Sequence, residues 1–449
     1  MGAIVVVGGG IAGLTAAWKL QRAGHDVEVI ERERVPGGRM RSERHGDFVL
    51  DRGAQFIASG YRNLRGIAAE LGVADRIRPV GSPRNAVLRG GTLHPGDYGD
   101  LLRFVRSPLL STRAKLRLPL VLVQLLRHRH LLDPWHPELA APIDREDMPG
   151  LLRRSVGDEA FEYLFEPAFS STFDSEPEDL SGVFALLALR FLAGGFRLES
   201  FDGGTGLLTE TLASRLRVHG GREVIAVETE ADGARVRYAT LHTDRLGHAE
   251  RVERTLLADA VLVAVPGSLV AGLCPTLTED ERAFFASVRY ARGMLAFLLL
   301  DRAPGSLPYY GVAFPRREGI GLYGLAADHH KPGVAPRGAG LVNVALREAE
   351  ARRLWDASDD AIAQFVLSEL ARTPIGRLAP RETVVHRWDP MLPQFGVGYT
   401  RRLAAFRSRR ARSPRIAFAG DYLVGPYAEM ACASGLRAAG ELQAALGKR

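Results

Sequence analysis

A glycine motif near the start of the chain has the spacing of a dinucleotide phosphate site. The β-branched run IVVV at residues 4–7 is typical of a strand buried on both faces, and the motif Gly8-x-Gly10-x-x-Gly13 follows it at once. The first glycine allows a tight turn, the second lets a pyrophosphate approach the main chain, and the third lets the next helix lie close to the strand. The N-terminus of that helix favours phosphate. Glu31, eighteen residues after Gly13, is placed to accept hydrogen bonds from a ribose hydroxyl.

The flanking elements support this interpretation. Apolar residues recur at helical spacing from Leu14 to Ala23, and Gly24 stands where a helix would end. A second strand, DVEVIE, then ends in Glu31. Because strand, glycine motif, helix, strand and acid occur in this order, the sequence predicts a bound nucleotide. The alternative is a tight turn with a purely structural role.

The segment PGGRMRS at residues 36–42 distinguishes between two dinucleotides. It places two glycines and an arginine directly after the second strand, where a nicotinamide-dependent dehydrogenase does not need them. With the N-terminal motif, it resembles the flavin amine oxidase and protoporphyrinogen oxidase superfamily. The resemblance implies that the cofactor is FAD and that Arg39 lies near its pyrophosphate and flavin. The alternative is a surface turn with a solvated arginine.

The resemblance extends along the whole chain, through FDGGTGLLTETLASRL at residues 201–216 and RIAFAGDYLVGPYAEMACASGLRAAGEL at residues 415–442. It implies that Val224 receives the adenine and that Asp421 binds the ribityl chain or pyrophosphate. Asp421 could instead serve only as a helix or turn cap. The start of the final helix would point its dipole at the flavin. The residues that we expect around FAD are Gly8, Gly10, Ile11, Ala12, Gly13, Glu31, Arg32, Gly38, Arg39, Val224, Gly420, Asp421, Glu429 and Met430.

Two further segments resemble protoporphyrinogen oxidases more than amine oxidases: residues 161–181, FEYLFEPAFSSTFDSEPEDLS, and residues 387–403, RWDPMLPQFGVGYTRRL. Tyr427 and Glu429 instead match the amine oxidases. Trp388, Tyr399 and Tyr427 are candidates for lining a substrate pocket, with an ordinary core role as the alternative for each. No catalytic acid or base is evident from the sequence.

Three functions therefore remain open. The first is a protoporphyrinogen-oxidase-like enzyme that moves a hydride from a bulky reduced organic substrate to flavin N5, with oxygen or another acceptor reoxidising the flavin. The second is an amine oxidase or desaturase-like enzyme of specialised metabolism. The third is a non-catalytic binding protein on the same fold.

The scarcity of lysine in this chain bears on the choice between the first two of these functions. Many flavin amine oxidases place a lysine on a substrate-domain strand, beside flavin N5. The matching strand here is GMLAFLLLD at residues 293–301, and none of the four lysines lies on it. We therefore expect an apolar N5 side, which suits a bulky substrate better than a small amine. The segment from Trp388 to Tyr399, where covalent family members carry an attachment cysteine, holds no Cys or His, so FAD should be bound non-covalently.

The expected fold is α/β (α+β overall), with a Rossmann-type FAD-binding domain and a discontinuous substrate domain of antiparallel sheet plus helical insert. The FAD-binding domain should comprise residues 1–80, 200–275 and 408–449. The substrate domain should comprise residues 81–199 and 276–407, with the helical insert at residues 98–195. At 449 residues, two domains are the prior expectation.

The composition excludes several classes of protein. The chain is 46% hydrophobic and 25% charged, which is typical of a folded globular protein. Cys274 and Cys432 are too few and too distant for a disulfide framework or a metal site, which favours a reducing cytoplasm, and no signal peptide is evident. The basic run at residues 401–415 lacks a nucleic-acid motif, so no nucleic-acid partner is expected. Residues 98–132 resemble the helices with which protoporphyrinogen oxidases rest on a membrane; alternatively, they cover the substrate pocket.

Overall fold

The computed structural model describes residues 2–82, 84–96, 106–193, 197–230, 232–243, 249–410, 412 and 415–447. Its strands are β1 Ala3–Val7, β2 Asp26–Ile30, β3 Ser42–His45, β4 Phe48–Asp51, β5 Ile57–Ala58, β6 Ile77–Pro79, β7 Asn85–Arg89, β8 Thr92–Pro95, β9 Leu198–Phe201, β10 Arg217–His219, β11 Arg222–Thr229, β12 Ala234–Thr243, β13 Ala249–Ala258, β14 Ala260–Val263, β15 Arg289–Tyr290, β16 Gly293–Leu300, β17 Gly311–Ala313, β18 Leu322–Ala326, β19 Gly340–Leu346, β20 Glu382–Trp388, β21 Pro393–Gln394 and β22 Ile416–Phe418.

The helices of the described residues are α1 Ile11–Arg22, α2 Arg62–Glu70, α3 Thr112–Arg117, α4 Pro119–Arg127, α5 Met148–Val156, α6 Asp158–Ala160, α7 Glu166–Phe173, α8 Gly182–Leu192, α9 Leu207–Ser214, α10 Gly267–Leu273, α11 Glu279–Ala286, α12 Glu348–Arg353, α13 Asp359–Ala371, α14 Tyr399–Ser408 and α15 Ala428–Leu446. A π-helical turn, Phe161–Phe165, joins α6 to α7. Within these residues, no helix combines the length and hydropathy needed to cross a membrane.

The strand before the glycine motif, β1, belongs to a parallel five-stranded sheet with the order β10-β2-β1-β14-β22. Every residue from Ile4 to Val7 of its central strand is at most 4% exposed, as expected for a strand covered on both faces. Helices α1 and α15 pack against each other beside this sheet, and Gly435 of α15 lies close to the main chain of Ala12. The βαβ unit predicted from the first thirty-one residues is confirmed.

The second large sheet has seven strands in the order β20-β16-β19-β18-β17-β7-β8. Its second strand, β16, pairs antiparallel with β19 and β20, but β17 runs parallel to β7. The predicted antiparallel sheet is therefore present, with one parallel pair between β7 and β17. Strands β7 and β17 are separated by more than two hundred residues, so no hairpin dictates their relative direction.

Strand β16 is buried on both faces along its whole length. Met294, Ala296 and Leu298 pack on the side of α13, whereas Leu295, Phe297 and Leu299 pack on the side of β4. The two sets alternate because successive side chains of a strand point to opposite faces. Strand β4 ends at Asp51, and in the loop that follows it the N–H of Ala54 donates to the carbonyl of Arg39 in the GGR segment.

Candidate active site

The glycine motif forms a tight turn between β1 and α1. A Cβ atom on Gly13 would lie 2.0 Å from the carbonyl oxygen of Gly8, and one on Gly8 would lie 2.7 Å from the carbonyl oxygen of Ala264. Gly8 also has φ of +107°, a conformation that favours glycine. By contrast, a Cβ on Gly10 would meet nothing within 4 Å. The outer glycines are thus needed for packing, and the middle one faces open space.

The first turn of α1 has the properties of an anion site. Gly10 is its N-cap residue, and no side chain of the described residues caps the helix there. No acidic residue occupies the first turn. The N–H groups of Ile11, Ala12 and Gly13 therefore lie at an uncapped, positive helix end beside the space in front of Gly10. This cradle fits a pyrophosphate.

Glu31 directly follows β2, beside the glycine turn at residues 8–13. Its two carboxylate oxygens accept the N–H groups of Gly9, at 2.6 Å, and Glu33, at 2.8 Å. Each oxygen keeps a further lone pair for a ribose hydroxyl. The carbonyl of Glu31 accepts the N–H of Arg222, 2.9 Å away, at the start of β11, which brings the strand of Val224 to the same edge. The side chain of Arg32 is exposed.

The predicted GGR segment lies directly against the phosphate loop. The N–H of Gly37 donates to the carbonyl of Gly9 at 2.8 Å, and a Cβ on Gly38 would lie 3.2 Å from the Cα of Gly10. The guanidinium of Arg39 therefore begins next to the cradle. The sequence predicts that this segment lies near the pyrophosphate, and the structure places it against the glycine motif.

Arg39 pairs with Asp421 across a distance of 382 residues in sequence, with nitrogen and oxygen 2.8 Å apart. It also donates to the carbonyl of Met391 and lies over the ring of Tyr290. Burial lowers the pKa of Arg39, but the nearby Asp421 and Tyr290 raise it, and the net shift is upward. Arg39 is thus a permanent cation held by an acidic partner, at a point where an anionic phosphate could join them.

The start of α15 closes the site on the side of Asp421. The N–H of Gly420 donates to the hydroxyl of Ser434 at 3.0 Å, which fixes the end of β22 against α15. Met430 lies in the first turn and is 1% exposed. The carboxylate of Glu429 accepts the N–H groups of Asn63 and Leu64, each at 2.9 Å, at the start of α2. Glu429 can therefore face a cofactor through its main chain, while its side chain joins α15 to α2.

The three aromatic candidates lie in different environments. Trp388 donates its indole N–H to the carbonyl of Arg52 at 2.7 Å, beside the loop that follows β4. Tyr399 is 1% exposed and donates its hydroxyl to the carbonyl of Tyr422 at 2.7 Å, which is a core position. Tyr427 remains partly exposed and packs against two phenylalanine rings, with centroids 5.3 and 5.4 Å away. Tyr427 lines a cavity together with Phe184 and Met430. Trp388 instead packs against the apolar cluster around β4.

Sequence reasoning missed a buried cation next to this site. The amine of Lys331 is 0% exposed and lies 3.0 Å from Asp51, 2.8 Å from Asp328 and 3.1 Å from the amide oxygen of Gln55. Burial lowers the pKa of Lys331, but Asp328, Tyr310 and Asp51 raise it above its usual value. The only sequence signal is an isolated lysine among four, in a loop before Pro332-Gly333.

The Lys331 cluster supports the loop that follows β4. Gln55, held by Lys331, donates to the carbonyls of Asp51, at 2.7 Å, and Gly53, at 3.1 Å. In the same loop, the N–H of Ala54 donates to the carbonyl of Arg39 at 2.8 Å. Lys331 lies between β18 and β19 of the seven-stranded sheet. Through the loop after β4, it thus connects this sheet to the main chain of Arg39.

A parallel sheet with a glycine-rich turn, an uncapped helix and an acid after the second strand defines a dinucleotide-binding oxidoreductase. The chain belongs to the flavin containing amine oxidoreductase family, whose model matches residues 11–443, and its cofactor is FAD. It is 23% identical to coproporphyrinogen III oxidase of Bacillus subtilis, over 94% of this chain and 93% of that protein. It is also 23% identical to protoporphyrinogen oxidase 2, chloroplastic/mitochondrial, of Arabidopsis thaliana, over 97% and 92% of the two chains.

The fold is also found in a solved structure of an amine oxidase. Cyclohexylamine oxidase from Brevibacterium oxydans superposes with a TM-score of 0.76 over 99% of both chains, at 17% identity. The architecture predicted from sequence is therefore confirmed, including the second sheet and the helical insert.

Proposed function

We propose that this protein is an FAD-dependent oxidase or dehydrogenase that removes hydride from a bulky, reduced, nitrogen-containing ring system, with a porphyrinogen as the first candidate substrate. The observation that carries this proposal is the wholly apolar strand β16, which has no lysine on either face. The relatives named coproporphyrinogen III oxidase and protoporphyrinogen oxidase support it over nearly the full chain. FAD supplies the hydride acceptor; the protein binds and orients the two reactants.

In this proposal, the described residues divide the work of holding FAD. The uncapped N–H groups at the start of α1 bind the pyrophosphate, and Arg39 neutralises its charge. Glu31 accepts the ribose hydroxyls, and Val224 borders the adenine. The N-terminus of α15, next to Asp421, faces the flavin, where its dipole stabilises negative charge. The segments 1–80, 200–275 and 408–449 then form the FAD-binding domain, and the remaining segments form the substrate domain.

The apolar side of β16 would exclude water from the reacting face. Leu295, Phe297 and Leu299 offer neither a proton donor nor a proton acceptor there. Because β4 covers these three side chains, they would form an apolar layer behind the reacting face, and a substrate there would bind largely through its own apolar area and ring surface. The test is whether a freshly reduced porphyrin reduces the flavin faster, without oxygen, than benzylamine or a polyamine does.

An amine oxidase or desaturase-like enzyme is the second candidate. Tyr427 favours it, because this tyrosine stands partly exposed immediately before α15, where its ring can face a substrate. The reoxidant in either case is oxygen or another electron acceptor. Faster flavin reduction by the small amines than by the porphyrinogen would place this candidate first.

We further propose that α3 and α4 contact a membrane surface peripherally. Leu116, Leu122, Val123 and Leu126 are 55 to 76% exposed, so the two short helices present apolar side chains outward. Arginines and a lysine alternate with them, which suits anionic headgroups. Residues 98–105, the first part of the predicted segment, lie outside the described residues.

Vesicle sedimentation tests the membrane proposal. We expect the protein to sediment with phosphatidylglycerol vesicles, and the triple variant Leu116→Ser, Leu122→Ser and Leu126→Ser to bind at least about tenfold more weakly, since each leucine loses about 1.5–3 kcal/mol of apolar burial. A matched control is Leu241→Ser, which removes an exposed leucine from the β12 hairpin. Equal sedimentation of the triple variant and this control would contradict the proposal.

A further inference from the structure

An apolar cavity lies between α8 and the start of α15. Its volume is 20 Å³, and the residues of α8 that line it are Phe184, Leu187, Ala188 and Phe191. They follow the spacing i, i+3, i+4 and i+7, so they lie on one face of the helix. Each of them is at most 9% exposed. One face of α8 therefore forms a continuous wall of the cavity.

The opposite wall belongs to the segment that leads into α15. Tyr427 is the N-cap residue of α15 and Met430 lies in its first turn, and both line the cavity. Val424 and Gly425, just before this turn, line it as well. In the proposed function this helix end faces the flavin. The cavity therefore lies where a substrate would meet the cofactor.

The cavity exists because residue 188 is small. On its face of α8, Ala188 stands between two aromatic residues that are each paired with another ring. Phe184 stacks on Phe395, and Phe191 packs against Tyr427, with ring centroids 5.3 Å apart in both pairs. Since the side chain of alanine is a single methyl group, it leaves a gap between these rings that a larger apolar residue would fill.

Hydrogen bonds to buried groups fix the N-terminus of α8. Ser181 caps the helix by accepting the N–H of Val183 at 3.2 Å, and its hydroxyl donates to Asp144 at 2.6 Å. The other oxygen of the fully buried Asp144 accepts the N–H of Thr400 at 3.0 Å, in the first turn of α14. Because α8 is held in this way, the cavity is a preformed part of the fold.

The lining offers no charge to a ligand. Among the described residues that line the cavity, Tyr427 alone has a polar side chain. Burial raises the pKa of Tyr427, so its phenol stays neutral. A charged group placed here would lose its hydration and find no opposite charge in the lining. The cavity therefore suits an uncharged, apolar group.

The volume also limits the size of that group. A water-sized group needs about 10–15 Å³, so this cavity has room for about one or two non-hydrogen atoms. A methyl or a vinyl group meets this limit. A propionate side chain is both longer and charged, and so it fails on both counts.

We propose that this cavity holds a methyl or vinyl substituent on the apolar edge of the substrate, and thereby disfavours ring systems that carry a carboxylate on every edge. This inference rests on the proposed function, because it assumes that the substrate is a porphyrinogen. Protoporphyrinogen has an edge with only methyl and vinyl groups, whereas coproporphyrinogen carries a propionate on each pyrrole ring. The cavity therefore selects protoporphyrinogen, and coproporphyrinogen binds more weakly.

The first test compares the two porphyrinogens on the wild-type holoenzyme. Each is mixed with the protein over a range of concentrations, without oxygen and in the same dilute detergent, and the loss of flavin absorbance is followed. We expect the concentration that gives the half-maximal rate to be at least about tenfold lower for protoporphyrinogen, which corresponds to the burial of about two carbon groups. This comparison does not depend on the folding of any variant.

The second test fills the cavity. Ala188→Val adds two methyl groups beside the rings of Phe184 and Phe191. We expect it to raise the half-maximal concentration of protoporphyrinogen about tenfold and to leave that of coproporphyrinogen unchanged, so the preference is lost. The matched control is Ala193→Val, which adds the same atoms at the exposed C-cap of α8 and should behave like wild type.

Equal half-maximal concentrations for the two porphyrinogens in wild type would overturn the inference, as would an Ala188→Val variant that keeps the wild-type preference. Loss of FAD from Ala188→Val, with Ala193→Val still yellow, would also overturn it, because the flavin rather than the substrate would then occupy the cavity. The proposed function fails in a different way. If neither porphyrinogen bleaches the flavin, both fall; if both bleach it with equal half-maximal concentrations, the inference falls and the proposed function stands.

Discussion

Replacing Lys331 by methionine is expected to lower the free energy of unfolding by about 3–5 kcal/mol, because it leaves buried carboxylates without their cation. Asp328 depends most on Lys331: burial already raises the pKa of Asp328 to about 6 even with the lysine present. Asp51 depends less on Lys331, because it also accepts hydrogen bonds from Ser42, at 2.6 Å, and Thr205, at 2.8 Å. Urea denaturation of the purified variant measures the change.

Two controls separate this effect from the simple loss of a lysine. Lys19→Met removes a half-exposed ion pair with Glu70 and should cost less than about 1 kcal/mol. The double variant Lys331→Met with Asp328→Asn removes the cation together with its most dependent anion, so it should recover part of the lost stability. Equal stability of Lys331→Met and Lys19→Met would mean that the buried cluster contributes nothing beyond a surface pair.

Gly13→Ala is expected to weaken FAD binding at least about tenfold, since an added Cβ would overlap a main-chain oxygen and cost about 1–3 kcal/mol or more. The overlap is with the carbonyl of Gly8, at 2.0 Å, so no side chain can move aside to relieve it. Moving the helix would displace the N–H groups that form the phosphate cradle. The measurement is the flavin content after dialysis, from the absorption spectrum.

Gly440→Ala is the matched control for this prediction. Gly440 lies inside α15, and a Cβ there would meet nothing within 4 Å. Alanine should therefore stabilise the helix by about 0.5–1 kcal/mol and leave FAD bound. Acid precipitation of either protein should release the flavin into the supernatant, as expected for non-covalent binding. Full flavin content in Gly13→Ala would mean that the cofactor does not rest on this loop.

The parts of the candidate site that could be predicted from the sequence are those formed by residues close together in the chain. The turn from Gly8 to Gly13, the acid at Glu31 and the GGR segment are each local patterns, and their geometry follows from a short stretch of chain. Even so, sequence spacing could not reveal that Glu429 uses its carboxylate on α2. That contact depends on the packing of two helices more than three hundred residues apart.

The features that sequence reasoning missed arise from tertiary packing. Lys331 stands in an ordinary loop, and its burial results from Asp51, 280 residues away, meeting it at the sheet. The parallel pairing of β7 with β17 was missed for the same reason, because residues far apart in sequence determine it.

The most direct test of the account is the anaerobic reduction of the bound flavin in a stopped-flow instrument. Wild-type holoenzyme is mixed with freshly reduced coproporphyrin, with benzylamine or with a polyamine, and the loss of flavin absorbance is followed. The apolar face of β16 predicts that the reduced porphyrin bleaches the flavin fastest and that the small amines are poor reductants. Rapid bleaching by the amines, with none by the reduced porphyrin, would contradict the account.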